Sequence, residues 1–276
     1  TYETSYIESL WWIFSQINKR KLLYKGHKVV PWCTRCGTAL SSHELALGYK
    51  EVTDTSVCAK FGLLNEPNTY LLAWTMTPWT LPGNVALAVG KDVLYFEYKE
   101  VGGNEKYILA KDRVSSFFEV EGERLYKRVK YQGKEFSFNG EYRGSRLVTK
   151  FSRGYKPLFD VKPLQSKRSH RVYAADFVTT TDGTGVVHTA VMYGEDDYAL
   201  GVKEKLPQHH TVNEEGKFTK DVPGLAGMYA KGSTTETKII ETLEKRGLLF
   251  KTEPYKHDYP HCWRCSTPLL YYARSS

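Results

Sequence analysis

The pattern of apolar and polar positions changes three times along the chain. Near the N-terminus Ile7, Leu10, Trp11, Phe14 and Ile17 recur at helical spacing, which predicts a helix over residues 5–21. Lys19-Arg20-Lys21 suits its C-terminal end, where the helix dipole is negative. The apolar stripe reads as a packing face. From about 50 to 190 the texture is strand-like, with short apolar or alternating runs at 69–75, 84–89 and 93–99. Gly102-Gly103-Asn104 separates 93–99 from 106–110, a hairpin signal. Residues 171–180 and 186–190 flank the turn Thr181-Asp182-Gly183-Thr184-Gly185. Many short strands with glycine turns predict a barrel-like or sandwich-like sheet. After 194 the helical pattern returns, first at 197–205, stopped by Pro207. Ser233-Thr234-Thr235-Glu236 then reads as a capping box, opening a helix with Ile239, Ile240 and Leu243 that ends near Gly247.

Four of the five cysteines fall in two C-x-x-C motifs, Cys33-Thr34-Arg35-Cys36 and Cys262-Trp263-Arg264-Cys265. Their flanks share the pattern C-x-R-C-x-T-x-L, and a proline precedes each, at Pro31 and Pro260. Two such knuckles read as one tetrahedral four-cysteine zinc site, and a closed thiolate shell is structural because it leaves no position for water. Cys36 and Cys262 are 226 residues apart, so the metal ties the chain's two ends together around a large insertion. Cys58 stands alone and reads as a small core residue.

The chain has 276 residues, long enough for a substantial core and about two domains. The aromatic share of 14%, with 20 Tyr, fits broad half-buried sheet surfaces. A net charge of +8 favours an anionic partner such as a phosphate backbone. No apolar run approaches the roughly 20 residues of a membrane helix, so no membrane partner is expected. Nothing at the N-terminus reads as a signal peptide, which makes the cytoplasm the expected location. The start at Thr1 reads as a piece cut from a longer polypeptide.

Two segments carry candidate chemistry. In Ala73-Trp74-Thr75-Met76-Thr77-Pro78-Trp79-Thr80-Leu81-Pro82-Gly83-Asn84 a strand ends in a cluster of threonine hydroxyls, and prolines stiffen the loop that follows. In Gly183-Thr184-Gly185-Val186-Val187-His188-Thr189-Ala190 a tight turn leads into a strand ending at His188. Gly194-Glu195-Asp196-Asp197-Tyr198 then places acidic residues at a helix start. Taken singly, each reads as ordinary structure: a stiff turn, a strand-end histidine, a solvated first helical turn.

Together, T-x-T-P-W-T-L-P-x-N, G-T-G-V-V-H-T-A and G-E-D-D-Y resemble the editing domain inserted into class I aminoacyl-tRNA synthetases for isoleucine, valine and leucine. Thr-Pro-Trp-Thr-Leu-Pro-Gly-Asn is similar to the version in the isoleucine enzymes. Trp32–Leu40 with Ser41-Ser42-His43-Glu44, and His261–Leu269 with Tyr271-Tyr272-Ala273, resemble the zinc ribbon flanking that insertion. The chain departs from the pattern at Met76, usually Thr, and at Val191, usually Pro, with Met192 beside it also atypical. It lacks His-x-Gly-His and Lys-Met-Ser-Lys-Ser, so no amino-acid activation is expected of it.

The resemblance implies a mixed α/β fold: a β-barrel-like editing core with peripheral helices, plus a small zinc ribbon. Residues 1–48 would hold the first helix and half-ribbon, 49–253 the editing domain, and 254–276 the second half-ribbon and stem. The implied reaction is hydrolysis of valine mistakenly esterified to isoleucine tRNA. Asp197, with Asp196 as fallback, would bind the substrate's α-ammonium as an ionised carboxylate. Thr75, Thr77 and Thr80 would hold the amino acid, the terminal adenosine or the attacking water. Asn84 would support the loop or ester end, and His188 would exclude isoleucine's extra methyl group. Trp74, Met76 and Val187 would complete the substrate wall. No Ser-His-Asp or Cys-His nucleophile set is evident, so direct attack by a positioned water is expected, helped by fixed dipoles. The implied partners are the single-stranded 3′ end of the tRNA and, in cis, the rest of the parent synthetase. Lys19-Arg20-Lys21, Lys127-Arg128 and Lys167-Arg168 are candidate phosphate contacts. Two other classes stay open: a non-catalytic RNA-binding zinc ribbon, and a metallohydrolase built on His188 and nearby carboxylates.

Overall fold

A computed structural model describes residues 1–120 and 126–276. The largest sheet has eight strands. In spatial order they are β13 (Leu249–Pro260), β3 (Tyr49–Gly62), β4 (Thr69–Thr75), β7 (Lys106–Ala110), β6 (Leu94–Glu100), β10 (Lys134–Arg143), β9 (Arg128–Tyr131) and β8 (Glu119–Val120). β4 and β7 run parallel, and the other neighbours are antiparallel. The expected hairpin at 102–104 joins β6 to β7.

Alternation along these strands gives the sheet two buried faces. Val57, Ala59, Phe61, Leu71, Ala73 and Ile108 face the main core. Cys58, Leu72, Tyr98, Tyr107, Phe136 and Phe250 face a second, aromatic core, where Phe118 and Tyr131 also pack. This is where much of the Tyr and Phe content goes, and Cys58 is a small core residue as expected.

A second sheet, β11 (Arg171–Ala174), β5 (Ala86–Val89) and β12 (Val186–Thr189), packs on the main core. Its centre, β5, is buried at all four positions, which suits a strand covered on both faces. The turn at 181–185 does not pair its flanks, because β5 lies between β11 and β12. Among the described residues the sheets do not close into a barrel: the fold is mixed α/β with open sheet edges.

The chain's ends meet in a third sheet, β14 (Leu270–Ser275), β1 (His27–Cys33) and β2 (Thr38–Ala39). Residues 49–56 of β3 pair only with β13, forming a two-stranded stalk between the large sheet and this ribbon. Both strands pass between the two regions without a break. The expected boundary at 253/254 therefore falls inside β13.

The helices correct three sequence expectations. Helix α1 (Thr4–Lys19) forms, but none of its residues is buried, and Trp11 and Trp12 are 69% and 65% exposed. The expected packing face is left uncovered among the described residues. Helix α2 (Ser42–Ala46) carries the capping box, made by Ser41 and Glu44. Short helices α3 (Val114–Phe117) and α4 (Gly144–Lys150) follow. Helix α5 (Glu195–Glu204) starts two residues before the expected 197 and ends on left-handed Lys205. Helix α6 (Ser233–Lys245) has Gly232 at its cap with no side-chain bond, so the expected box at 233–236 does not form. Thr235 instead donates to the Tyr229 carbonyl at 2.7 Å.

Candidate functional site

β4 ends at Thr75, and the chain turns into a fully buried 3-10 segment, Pro78–Gly83, begun by a proline whose fixed φ suits a helix start. β12 runs beside β4 and ends just past His188. The two segments singled out in the sequence therefore line one cavity of about 280 Å³. Trp74, Thr75, Met76, Thr77, Thr80, Val187, His188 and Asp197 all line it. That is near the small end for ligand cavities, a size for one compact group.

The threonines form a linked set. Thr75 Oγ1 accepts from the Thr77 amide at 3.0 Å and lies 3.2 Å from Thr77 Oγ1. Thr80 donates its hydroxyl hydrogen to the Thr77 carbonyl at 2.8 Å, so its oxygen faces His188 Nε2, also at 2.8 Å, as an acceptor. With the Thr80 hydrogen directed to that carbonyl, the contact suits an Nε2–H tautomer of His188. Its Nδ1 lies 3.5 Å from the Asn84 amide nitrogen, a donor. Burial lowers the His188 pKa to about 4, so the ring is neutral at physiological pH. Both ring nitrogens face side-chain partners, Thr80 and Asn84.

Asp197 is in the first turn of α5, and its Oδ2 accepts from the Ala190 amide at 3.3 Å. The sequence reading took it as an ionised partner for the ammonium; in the unliganded chain the carboxyl holds its proton more tightly than an ordinary Asp. Burial, with a smaller contribution from the Asp196 charge, raises its pKa to about 7 against the opposing amide bond. Gly194 makes room for it, since a Cβ there would sit 2.8 Å from Asp197 Oδ2. The cavity lining contains no Lys or Arg, and Asp182 adds a second carboxyl at an exposed position. Such a wall favours a cationic ligand, which would draw the Asp197 proton off on binding.

Two expected residues lie elsewhere. Asn84 is behind His188 and not on the cavity wall. Asp196 is exposed and lines a different cavity with Phe177 and Lys203, so it is no substitute for Asp197. The sequence reading missed Phe177, Thr179, Asp182 and Gly183, which line the site from the loop before β12. The hydroxyl-rich run Thr179-Thr180-Thr181-Asp182 was the available signal. It also missed Arg113, whose Nε and Nη1 donate to the carbonyls of Gly183 and Thr181 at 2.8 and 2.9 Å and pin that loop. A larger cavity, about 550 Å³, lies between the ribbon and Tyr193 and Gly194. It is mostly apolar, and its polar lining, Lys28, Ser41, Ser42 and Glu195, includes a cation that the smaller cavity lacks.

At the ribbon the two knuckles repeat each other in detail. Gly37 N donates to Cys33 O at 2.9 Å, and Ser266 N to Cys262 O at 2.7 Å. Leu40 N donates to Pro31 O, and Leu269 N to Pro260 O. Gly37 and Ser266, at matching places, both have positive φ, at 63° and 58°. The four Sγ atoms lie within 4.8 Å of one another, three pairs at 3.5, 3.5 and 4.0 Å. Thiolates about 2.3 Å from a shared tetrahedral zinc would be roughly 3.8 Å apart, so the cluster fits a metal ion. Glu44 braces the halves, accepting from Trp263 Nε1 and Arg264 Nη2 at 3.1 and 2.7 Å.

The architecture is that of a synthetase editing domain. It matches the P. falciparum cytosolic leucyl-tRNA synthetase editing domain with a TM-score of 0.52 at 10% identity, covering 72% of this chain and 99% of that one. The P. knowlesi counterpart matches at 0.50 and 11%, covering 76% and 99%. Residues 1–269 match the family model described as tRNA synthetases class I (I, L, M and V), and the chain belongs to that family. Among its relatives, the isoleucine–tRNA ligase of Clostridium novyi is 47% identical over 276 residues, and that of Bacillus thuringiensis 45%. Each alignment covers all of this chain, which spans about a quarter, 24%, of the relatives' length. The chain thus corresponds to part of a class I synthetase and has the fold of the leucyl-tRNA synthetase editing domains. Among the described residues no helix is long and apolar enough to cross a membrane.

Proposed function

We propose that this chain hydrolyses the ester of valine wrongly attached to isoleucine tRNA. One observation carries the reading: a compact cavity joins a threonine hydroxyl cluster to a half-buried carboxyl and a neutral histidine wall, with no Lys or Arg in the lining. Asp197 takes the α-ammonium of the bound ester and ionises as it does so. Thr75 and Thr77 orient a water for direct attack on the ester carbonyl, with the fixed dipoles of the loop opposing the charge that develops. Thr80 has a different task from the one first expected. Its hydrogen is committed to the Thr77 carbonyl, so it anchors His188 and does not donate to water.

His188 then forms the steric gate. Isoleucine exceeds valine by one methylene, worth only about 1–3 kcal/mol in a binding pocket; isoleucine-against-valine selection by these synthetases is itself the standard example of that limit. A second cavity that admits only the smaller side chain completes the discrimination. The metallohydrolase reading is disfavoured because both His188 nitrogens already have partners. Zinc is the proposed occupant of the four-cysteine cluster, in a structural role. The proposed partners are the tRNA 3′ end and, in cis, the remainder of the parent enzyme, working in the cytoplasm.

The test is deacylation of valyl-tRNA(Ile) by the chain at high concentration, with isoleucyl-tRNA(Ile) as control. Selective loss of valine supports the reading. Tight tRNA binding without cleavage of either ester would instead favour a non-catalytic RNA-binding module.

A further inference from the structure

The hydrogen-bond chain behind the threonines continues past Asn84. Tyr155, only 1% exposed, donates its hydroxyl to Asn84 Oδ1 at 2.6 Å. It lies between α4 and β11 and is 71 residues from Asn84 in sequence. Its backbone is fixed by a bond from its amide to the His170 carbonyl at 2.8 Å. Its ring is clamped edge-on by Phe61 and His170, at centroid distances of 5.3 and 5.7 Å.

The consequence follows donor by donor. Because Oδ1 accepts from Tyr155, the Asn84 Nδ2 points the other way, donating to the Ala86 carbonyl at 2.9 Å and facing His188 Nδ1 at 3.5 Å. A donor opposite Nδ1 requires a bare nitrogen there, which leaves the imidazole hydrogen on Nε2, facing the Thr80 oxygen. Turning the amide over would set Oδ1 against the Ala86 carbonyl and leave two buried acceptors opposed.

We propose that Tyr155 is a positioning residue of this site: through Asn84 it holds His188 as the Nε2–H tautomer, locked onto Thr80, and so sets the shape of the wall that excludes the larger side chain. This rests on the editing reading for its effect on specificity, but not for its effect on His188. Tyr155 does not line this cavity, so it acts through Asn84.

The test substitutes Tyr155→Phe, which removes one hydroxyl from a packed ring, with Tyr173→Phe as control. The Tyr173 hydroxyl donates to the Arg168 carbonyl and reaches neither Asn84 nor His188. In nitrogen-15 spectra of histidine-labelled protein at pH 7, His188 should be a single Nε2–H tautomer in the unaltered chain and in Tyr173→Phe. In Tyr155→Phe it should be a mixture. The ratio of isoleucyl- to valyl-tRNA hydrolysis should rise roughly tenfold in Tyr155→Phe only, about what one buried hydrogen bond is worth. Asn84→Asp replaces the donor opposite Nδ1 with an acceptor and should invert the tautomer, which keeps the test open should Tyr155→Phe fail to fold. A pure Nε2–H signal in Tyr155→Phe or in Asn84→Asp would overturn the assignment, as would an unchanged hydrolysis ratio in Tyr155→Phe. The tautomer readout needs no substrate. If the unaltered chain cleaves neither ester, the editing reading fails while the relay is judged on the spectra alone.

Discussion

Replacing Asp197 by Asn should stabilise the chain at alkaline pH while abolishing its hydrolysis. Burial lifts this carboxyl from an ordinary 3.8 to about 7 in the folded state. The folded chain therefore holds a proton that the unfolded chain has released. Between about pH 4 and pH 7 stability falls by ~1.4 kcal/mol per pH unit from this group, and it levels off above that. The cost is absent below about pH 4, about 1.6 kcal/mol at pH 5 and about 4 kcal/mol at pH 8, an upper bound because the side chain is partly exposed. Set against a typical total of 5–15 kcal/mol, that is a large fraction held at a functional group. Asparagine keeps an oxygen for the Ala190 amide but cannot ionise. Urea unfolding of both proteins at several pH values, with free zinc held constant, measures the difference. The variant's advantage should widen by about 2–3 kcal/mol between pH 5 and pH 8. A gap that stays constant over that range would refute the buried-carboxyl account, as would a variant less stable at pH 8. Single-turnover hydrolysis of valyl-tRNA should meanwhile fall to background, since a neutral amide cannot pair with the ammonium.

Four further outcomes are expected. His188→Ala should open the gate and raise isoleucyl- relative to valyl-tRNA hydrolysis by about 10- to 200-fold, the worth of one methylene, read from paired deacylation rates. Gly194→Ala puts a methyl 2.8 Å from Asp197 Oδ2. It should slow hydrolysis by up to about a hundredfold without unfolding the chain, as circular dichroism would show. Arg113→Ala frees the carbonyls of Thr181 and Gly183, and should cost about 1.5–3 kcal/mol of local stability, seen as faster amide exchange over 181–185. Chelation should release one zinc per chain. Adding it back at a thousandfold excess over its dissociation constant should raise the unfolding free energy by about 4 kcal/mol.

Much of the site was legible in the chain itself because it is written in two short segments. A threonine cluster at a strand end, a histidine closing another strand and an acidic helix start are local features, and local sequence sets them. The ribbon was legible for a related reason. Two C-x-x-C knuckles with matching flanks imply one metal site at any separation, and the structure repeats their turns bond for bond. What sequence could not supply were relations between distant segments. β5 intervenes between β11 and β12 because a sheet is ordered by pairing and not by chain order. The stripe on α1 was read as packing because periodicity marks an apolar face without saying what covers it. The capping-box pattern matched at 233–236 but formed at Ser41, since capping depends on the backbone geometry at the helix start. The raised pKa of Asp197 and the tautomer proposed for His188 depend on the tertiary structure. The first follows from burial that only the assembled core produces, and the second from a bond to Tyr155, which the fold alone brings to Asn84.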